Sequence, residues 1–377
     1  MQYGEQIIMK KTVLKTIAYF LIVISIILIP SVIIDPYNVF HSSNPRDNGI
    51  EANKGFIKTE YIKKHHDEFD SLLFGSSRAG FVDIAYLNEK MNAKFYDMAS
   101  SESLVNEQVI ELREFIASGF IPKKVIVMVD DISCFVNPEI HKNMLYRIPY
   151  PVSMVEKAEF YLKYMDLITN FESLSVINDT RAKKEENLAR GIDDGYDNST
   201  HMSYIDRFYH TGTERLDKES HFNPDEEQYQ KGYWVDYYSL RADEAVSDMK
   251  DMVNLCEKYG IELIVVTNPL YKLTYQMDIE NGYLIYLRKL AEVTDYYNFS
   301  SFNAVTENYS YYYETSHFMP EVTRMMVDAI CENTRNNNTE MQNDVFGTYV
   351  TRDNADMLIS LLEAQAAERG INIYSEP

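Results

Sequence analysis

From Thr16 to Ile34 the chain reads TIAYFLIVISIILIPSVII, 19 residues without a charge. Coiled as a helix, a run of that length matches the roughly 30 Å hydrocarbon core of a bilayer. The sequence therefore predicts one transmembrane helix before any other element. Lys10, Lys11 and Lys15 precede the run and Asp35-Pro36 follow it. The positive-inside bias then places residues 1–15 in the cytoplasm and everything beyond Ile34 outside the cell membrane. A cleaved signal peptide has a shorter apolar core, and no small-x-small cleavage pattern follows Ile34, so the reading is an uncleaved single-pass anchor.

The chain beyond the anchor is long enough to bury a large core, since the protein has 377 residues, and its formal net charge is −22. That acidity argues against nucleic acid as a partner. Cys134, Cys256 and Cys331 are widely spaced and odd in number, so they imply neither a disulfide framework nor a metal site.

Beyond a turn-rich exit segment, DPYNVFHSSNPRDNG, buried strands alternate with helical stretches. Ser71–Phe74, Phe95–Met98, the β-branched run KKVIVMVDD, IELIVVTNP and DYYNFSSF read as strands. Between them lie helices opening at Asp83, over 102–117, over 245–259 up to Gly260, over 283–293, and from Pro320. This alternation predicts an α/β fold with a largely parallel sheet. The expected organisation is a cytoplasmic N-terminus over 1–15, an anchor over 16–34, an exit segment over 35–68 and an α/β domain over 69–334. An insertion over 135–240 interrupts that domain as a candidate lid, and 335–377 form a linker and a C-terminal helix with Thr351 as its N-cap.

Two short stretches carry chemistry. FDSLLFGSSRAGF ends a strand abruptly at Gly75-Ser76-Ser77-Arg78, a strand-to-helix corner that exposes a hydroxyl and leaves backbone N–H groups free for an oxyanion. Far downstream, YYYETSHFMPEV sets Glu314 three residues before His317, a spacing that lets the carboxylate hold the imidazole while the imidazole reaches elsewhere. Each alone also fits an ordinary turn or a helix-end histidine; the order Ser early, acid-x-x-His late on an α/β frame is more specific.

In that order the chain resembles the SGNH hydrolase superfamily, whose first block ends in Gly-x-Ser and whose last is Asp-x-x-His. With its Gly-Ser-Ser-Arg form, N-terminal anchor and DPYNVFH exit, it is similar in plan to membrane-anchored bacterial D-alanyl transfer proteins and polysaccharide O-acetyltransferases. The resemblance covers about Phe69 to Thr334 and implies a flavodoxin-like parallel sheet with flanking helices. It implies Ser77 as nucleophile, His317 as base and Glu314 as the orienting acid, with backbone amides of Ser77 and of Ser101 or Glu102 as oxyanion donors and no metal or other cofactor. It further implies a cell-surface polysaccharide as acceptor and a multipass membrane protein as acyl donor. Three departures stand out. Asp97 replaces the second block's Asn and no glycine follows it; Asp131 stands near the third block's oxyanion Asn; Glu314 replaces an Asp. A carboxylate at Asp131 repels an oxyanion unless protonated or turned away.

The resulting expectation is acyl transfer or removal on a surface polysaccharide. Its rivals are a non-catalytic accessory or carbohydrate-binding protein and an anchored esterase. Other candidates read as structure: His65-His66 as a solvated charge cluster, Asp193, Asp194 and Asp197 as a turn rather than a calcium loop, and the aromatics from Trp234 to Tyr238 as packing.

Overall fold

The computed structural model describes residues 2–131, 135, 137–189, 196–197, 202–203, 222–232, 241–336 and 346–374. The chain divides into two compact units, Met1–Asn53 with Pro151–Asp194, and Lys54–Tyr150 with Gly195–Pro377.

The second unit contains the described strands: β1 (Ser71–Phe74), β2 (Phe95–Asp97), β3 (Lys124–Val129), β4 (Tyr196–Asp197), β5 (Met202–Ser203), β6 (Glu262–Thr267), β7 (Tyr296–Asn298) and β8 (Thr348–Val350). β4 and β5 pair with each other; the other six form one sheet in the order β2-β1-β3-β6-β7-β8. All neighbours are parallel except β7 and β8. The mainly parallel sheet expected from the sequence is present.

Both faces are covered, which is why these strands are apolar at consecutive positions. Leu72 and Phe74 of β1 and Val125, Val127 and Val129 of β3 point into one core layer, with Ile62, Leu112, Met252, Leu287 and Leu362. Leu73, Ile126 and Met128 point into the other, with Leu87, Val322 and Met326. Burying an aliphatic or aromatic side chain stabilises by about 1.5–3 kcal/mol, so Phe74→Ala alone costs about 3–5 kcal/mol.

The helices flanking the sheet start and stop where local chemistry dictates. Asp83 accepts a hydrogen bond from the Tyr86 amide (3.0 Å) at the start of Ile84–Met91. Ala242–Tyr259 ends at Gly260, whose φ of 67° favours a residue without Cβ. The C-terminal helix begins later than expected, at Ala355; Asn354 rather than Thr351 is its N-cap residue and accepts from the Thr351 amide (2.7 Å).

The compact unit extends beyond 69–334 at both ends. Helix Lys54–His65 belongs to it, with Phe56, Ile57 and Ile62 buried. Its apolar period is broken by buried Lys58, whose ammonium donates to the Ala99 carbonyl (2.8 Å). At the other end β8 completes the sheet, and helix Ala355–Glu368 buries Leu358, Ile359 and Leu362.

In the first unit, Gln2–Ile34 is a single helix, and Met9–Ile34 within it is long and apolar enough to cross a membrane. The exit segment is not loose chain. Buried Asp35 accepts from the amides of Val39 (2.9 Å) and His41 (2.8 Å), and Asn38 exchanges two bonds with Arg46. Helices Met154–Tyr164 and Leu167–Ala189 complete the unit. Cys134, Asp193, Asp194 and the Trp234–Tyr238 aromatics lie outside the described residues.

Candidate active site

β1 pairs with β2 on one side and with β3 on the other, so the strand order reverses direction at β1. In open parallel sheets ligands gather at such a reversal, beyond the carboxyl ends of the strands. The corner after β1 lies there. Its tightness requires Gly75: a Cβ at that position would sit 2.7 Å from the Ala79 Cβ and 3.1 Å from the Met128 Cβ. Ser76 follows as the cap of a short 3-10 turn, Ser77–Phe81, its hydroxyl accepting from the Arg78 amide (3.2 Å). From Ser71 to Gly80 every residue is buried except Ser77. The corner thus hides one serine and presents the other.

Ser77 Oγ lies 2.8 Å from His317 Nε2, across 240 residues of sequence. On the far side of the ring, His317 Nδ1 bonds Glu314 Oε1. A carboxylate on Nδ1 fixes the proton there and leaves the Nε2 lone pair facing the Ser77 hydroxyl. Burial pushes Glu314 up, but the bond from His317, its charge, the Ser316 amide and the Arg78 guanidinium outweigh it, and the carboxyl is held below its ordinary range. The Phe81 ring covers the imidazole, with centroids 5.0 Å apart.

The loop carrying Glu314 and His317 is a tight hairpin, with Tyr312 bridged to Phe318 and the Tyr313 amide donating to the His317 carbonyl (2.9 Å). Three tethers hold it. Thr274 Oγ1 donates to the Thr315 carbonyl (2.6 Å), the Tyr312 hydroxyl to the Pro269 carbonyl (2.9 Å), and Arg78 Nε to the Ser316 carbonyl (2.6 Å).

Arg78 also accounts for the paired aspartates after β3. Its guanidinium, almost fully buried, bonds Asp130 Oδ1 and Asp131 Oδ2 (2.7 Å to the latter) and the Ser316 hydroxyl (3.0 Å). The Asp131 charge is therefore tied to a cation. Burial pushes Asp130 up to about 6 despite Arg78, and the neighbouring charge of Asp131 adds to the rise. Asp130 escaped the sequence reading; its signal was an arginine next to Ser77 and a pair of aspartates closing a strand.

The second block forms another corner. Asp97, fully buried at the end of β2, accepts from the Ala99 amide (2.7 Å). The Ser100 amide donates to the Gly75 carbonyl (3.2 Å), which brings this loop against the Gly75-Ser76-Ser77 corner, and the Ser103 amide closes a turn onto the Ser100 carbonyl (3.1 Å). Ser101 and Glu102 occupy the middle of that turn. Glu102 takes the left-handed φ of 51°, a conformation that costs most side chains roughly 1–2 kcal/mol. The glycine missing from the sequence is missing at a glycine-like backbone position.

Arg147 holds Glu102 there. Nη2 donates to the Glu102 carbonyl (2.6 Å), and Nη1 pairs with its carboxylate, so the side chain is drawn toward Arg147. Nη2 also faces His141 Nε2 (2.5 Å), and His141 Nδ1 faces Glu107 Oε1 (2.6 Å). An arginine donor at Nε2 needs a lone pair there, so the ring proton sits on Nδ1 and goes to Glu107. Glu107 in turn accepts from the Leu104 amide (3.0 Å), closing the network onto the start of helix Val105–Ala117. Arg147, His141 and Glu107 were not read from the sequence, and no local pattern marks them.

Ser77, His317, Glu314, Gly75 and Arg78 are thus gathered at one edge, with Asp131 bound to Arg78 and the Ser101-Glu102 turn tethered beside them. His65 is elsewhere, paired with Glu68 (3.0 Å). No family model matches the chain, and no curated protein matches it.

Proposed function

We propose that this chain is a membrane-anchored serine acyltransferase of the SGNH type that moves an acyl group, most simply acetyl, onto hydroxyls of a cell-surface polysaccharide. The observation carrying the reading is the 2.8 Å contact of Ser77 Oγ with His317 Nε2, while Glu314 engages the opposite nitrogen. Ser77 meets, across 240 residues, a histidine whose other nitrogen is held by a carboxylate three residues before it, an arrangement that suits proton donor, base and orienting acid.

In the forward step Ser77 Oγ attacks the acyl carbonyl as His317 Nε2 takes its proton. The negative charge on the carbonyl oxygen is met by the Ser77 amide and by amides of the Ser101-Glu102 turn. Collapse expels the donor's oxygen, which receives the proton from His317, and leaves an acyl ester on Ser77. A sugar hydroxyl then gives its proton to His317 and attacks that ester, and as the Ser77 Oγ–acyl bond breaks His317 returns the proton to Ser77 Oγ and the sugar departs acylated; water in its place gives hydrolysis. Glu314 stabilises the imidazolium in both halves. A multipass membrane protein is the proposed donor, and the anchor with positive charges at its start favours an extracytoplasmic site.

The test is full-length protein in vesicles, supplied with p-nitrophenyl acetate and an oligosaccharide acceptor, and read by nitrophenolate release and by the acceptor's mass. Acetylated sugar formed by wild type and not by Ser77→Ala supports transfer. Nitrophenolate and acetate without acetylated sugar give the esterase instead. No turnover at all, with the acceptor still bound, gives the accessory reading.

A further inference from the structure

Helix Met154–Tyr164 has three faces where a surface helix needs two. Phe160 and Tyr164 are buried against the exit segment, where Tyr164 meets Tyr37 and receives a bond from Asn53 (2.7 Å). Glu156, Glu159 and Lys163 make a charged strip. Met154, Val155, Ala158 and Leu162 fall within an arc of roughly 100°, at about 100° per residue, beside Tyr161, whose ring stacks on Phe40 with centroids 5.8 Å apart. Met154 is 83% exposed, Val155 67% and Leu162 65%. Past the turn, at the start of helix Leu167–Ala189, Ile168 is 70% and Phe171 54% exposed.

The occupant of this face follows from where its turn is tied. Ser31, buried in the last turn of helix Gln2–Ile34, donates to the Met165 carbonyl between the two helices (3.3 Å). Three residues further on that helix is capped by Arg46, whose guanidinium donates to the carbonyls of Ile33 (3.2 Å), Ile34 (2.6 Å) and Asp35 (3.1 Å). Met9–Ile34 is 26 residues long, about 39 Å at 1.5 Å per residue, against a hydrocarbon core of roughly 30 Å. The surplus lies at the start, which carries Lys10, Lys11 and Lys15, so the charge-free run Thr16–Ile34 fills the core, Ile34 stands at the headgroup boundary, and the junction of the two helices is tied near that level.

We infer that helix Met154–Tyr164 and the first turns of helix Leu167–Ala189 meet the lipid interface, their exposed apolar residues set into the headgroup and acyl boundary where the N-terminal helix emerges. This rests on that helix spanning the membrane. The ligand is phospholipid, met by Met154, Val155, Leu162, Ile168 and Phe171, with Glu156, Glu159 and Lys163 turned to water. An apolar arc opposite a charged strip is the pattern of helices that lie in a membrane surface. The consequence is a second point of attachment, which restricts how the first unit can tilt about its anchor.

The experiment uses the full chain with its single tryptophan replaced, Trp234→Phe, carrying one new tryptophan at a time. The protein is reconstituted in phosphatidylcholine–phosphatidylglycerol vesicles with or without lipids brominated near the top of their acyl chains. Leu162→Trp and Ile168→Trp should emit at shorter wavelength and lose emission to the brominated lipid. Glu159→Trp, on the charged strip, should lose emission only to aqueous iodide. Iodide quenching of Leu162→Trp equal to that of Glu159→Trp overturns the inference, as does its shielding from both quenchers, which means a second protein copy covers the face. Phe20→Trp separates this from the spanning reading. If Phe20→Trp is not quenched by lipids brominated deep in the chain, the span has failed; if it is quenched and Leu162→Trp is not, only the interface inference has.

Discussion

After β1 the chain turns through Gly75-Ser76-Ser77, and after β2 through Ser100-Ser101-Glu102, and the Ser100 amide joins the two corners at the Gly75 carbonyl. The first is made from its own residues: a glycine where a Cβ has no room, a serine that caps, a serine that is presented. The second places a glutamate at a backbone angle suited to glycine and holds it with Arg147 from 45 residues away. A tight turn can be stabilised by local chemistry or by a distant clamp. Only the first kind leaves a motif in the sequence.

The contrast breaks most sharply at the first corner. Ser77→Ala should lower turnover on a synthetic ester by roughly 10⁴-fold or more, His317→Ala as much, and the pair no further, because groups acting as one unit are not additive. Ser76→Ala should keep most activity and lose about 1 kcal/mol of stability as a removed cap. Equal damage from both serines would erase the distinction between the presented and the hidden hydroxyl.

Next in size is Glu314→Gln, with an expected loss of up to about 10⁴-fold in kcat and little change in KM, since an amide no longer fixes the tautomer or stabilises the imidazolium. Glu314→Asp should retain part of the activity. Steady-state rates on folded protein, checked by circular dichroism, decide it.

The second corner should respond to its clamp. Arg147→Gln should lower kcat by roughly 10²-fold, as the loss of one oxyanion donor does elsewhere, with KM nearly unchanged. Adding Glu102→Gly should restore most of it, because glycine holds the left-handed turn unaided. Glu102→Gly alone should lower the thermal midpoint by leaving Arg147 without its carboxylate. A double variant as slow as Arg147→Gln would mean that Arg147 acts otherwise than through this turn.

The smallest effect lies behind the first corner, where Arg78 meets the aspartates after β3. Asp130, raised to about 6, holds its proton more tightly in the folded chain than in the unfolded one. Its contribution to stability is therefore full below its unfolded value near 4 and is lost as pH rises through about 6. Asp130→Asn should flatten that part of the stability profile, measured by urea unfolding between pH 4 and 7. An unchanged slope would remove Asp130 as its source.

The strands at β1, β3 and β6 were legible because burial on both faces demands unbroken apolar runs, and Asp83 and Gly260 because caps are local. Ser77, Glu314 and His317 were legible from types and order. Helix Lys54–His65 was hidden by a lysine that buries its charge on a carbonyl, and β8 because only Val350 of its three residues is buried, so no apolar run marks it. Arg147 was illegible in principle: its role is set by the tertiary path that brings it to Glu102. The concern over Asp131 dissolves for the same reason, since its cation, Arg78, arrives from another strand's end.

The central claim is that Ser77 is an activated nucleophile. The most direct measurement is covalent labelling of the full-length protein by a fluorophosphonate, with the modified peptide mapped by mass spectrometry. One label on Ser77 is expected, absent in Ser77→Ala, strongly slowed in His317→Ala and unaffected in Ser76→Ala. No labelling of native protein, labelling at Ser76, or labelling of Ser77 at an undiminished rate in His317→Ala would contradict it.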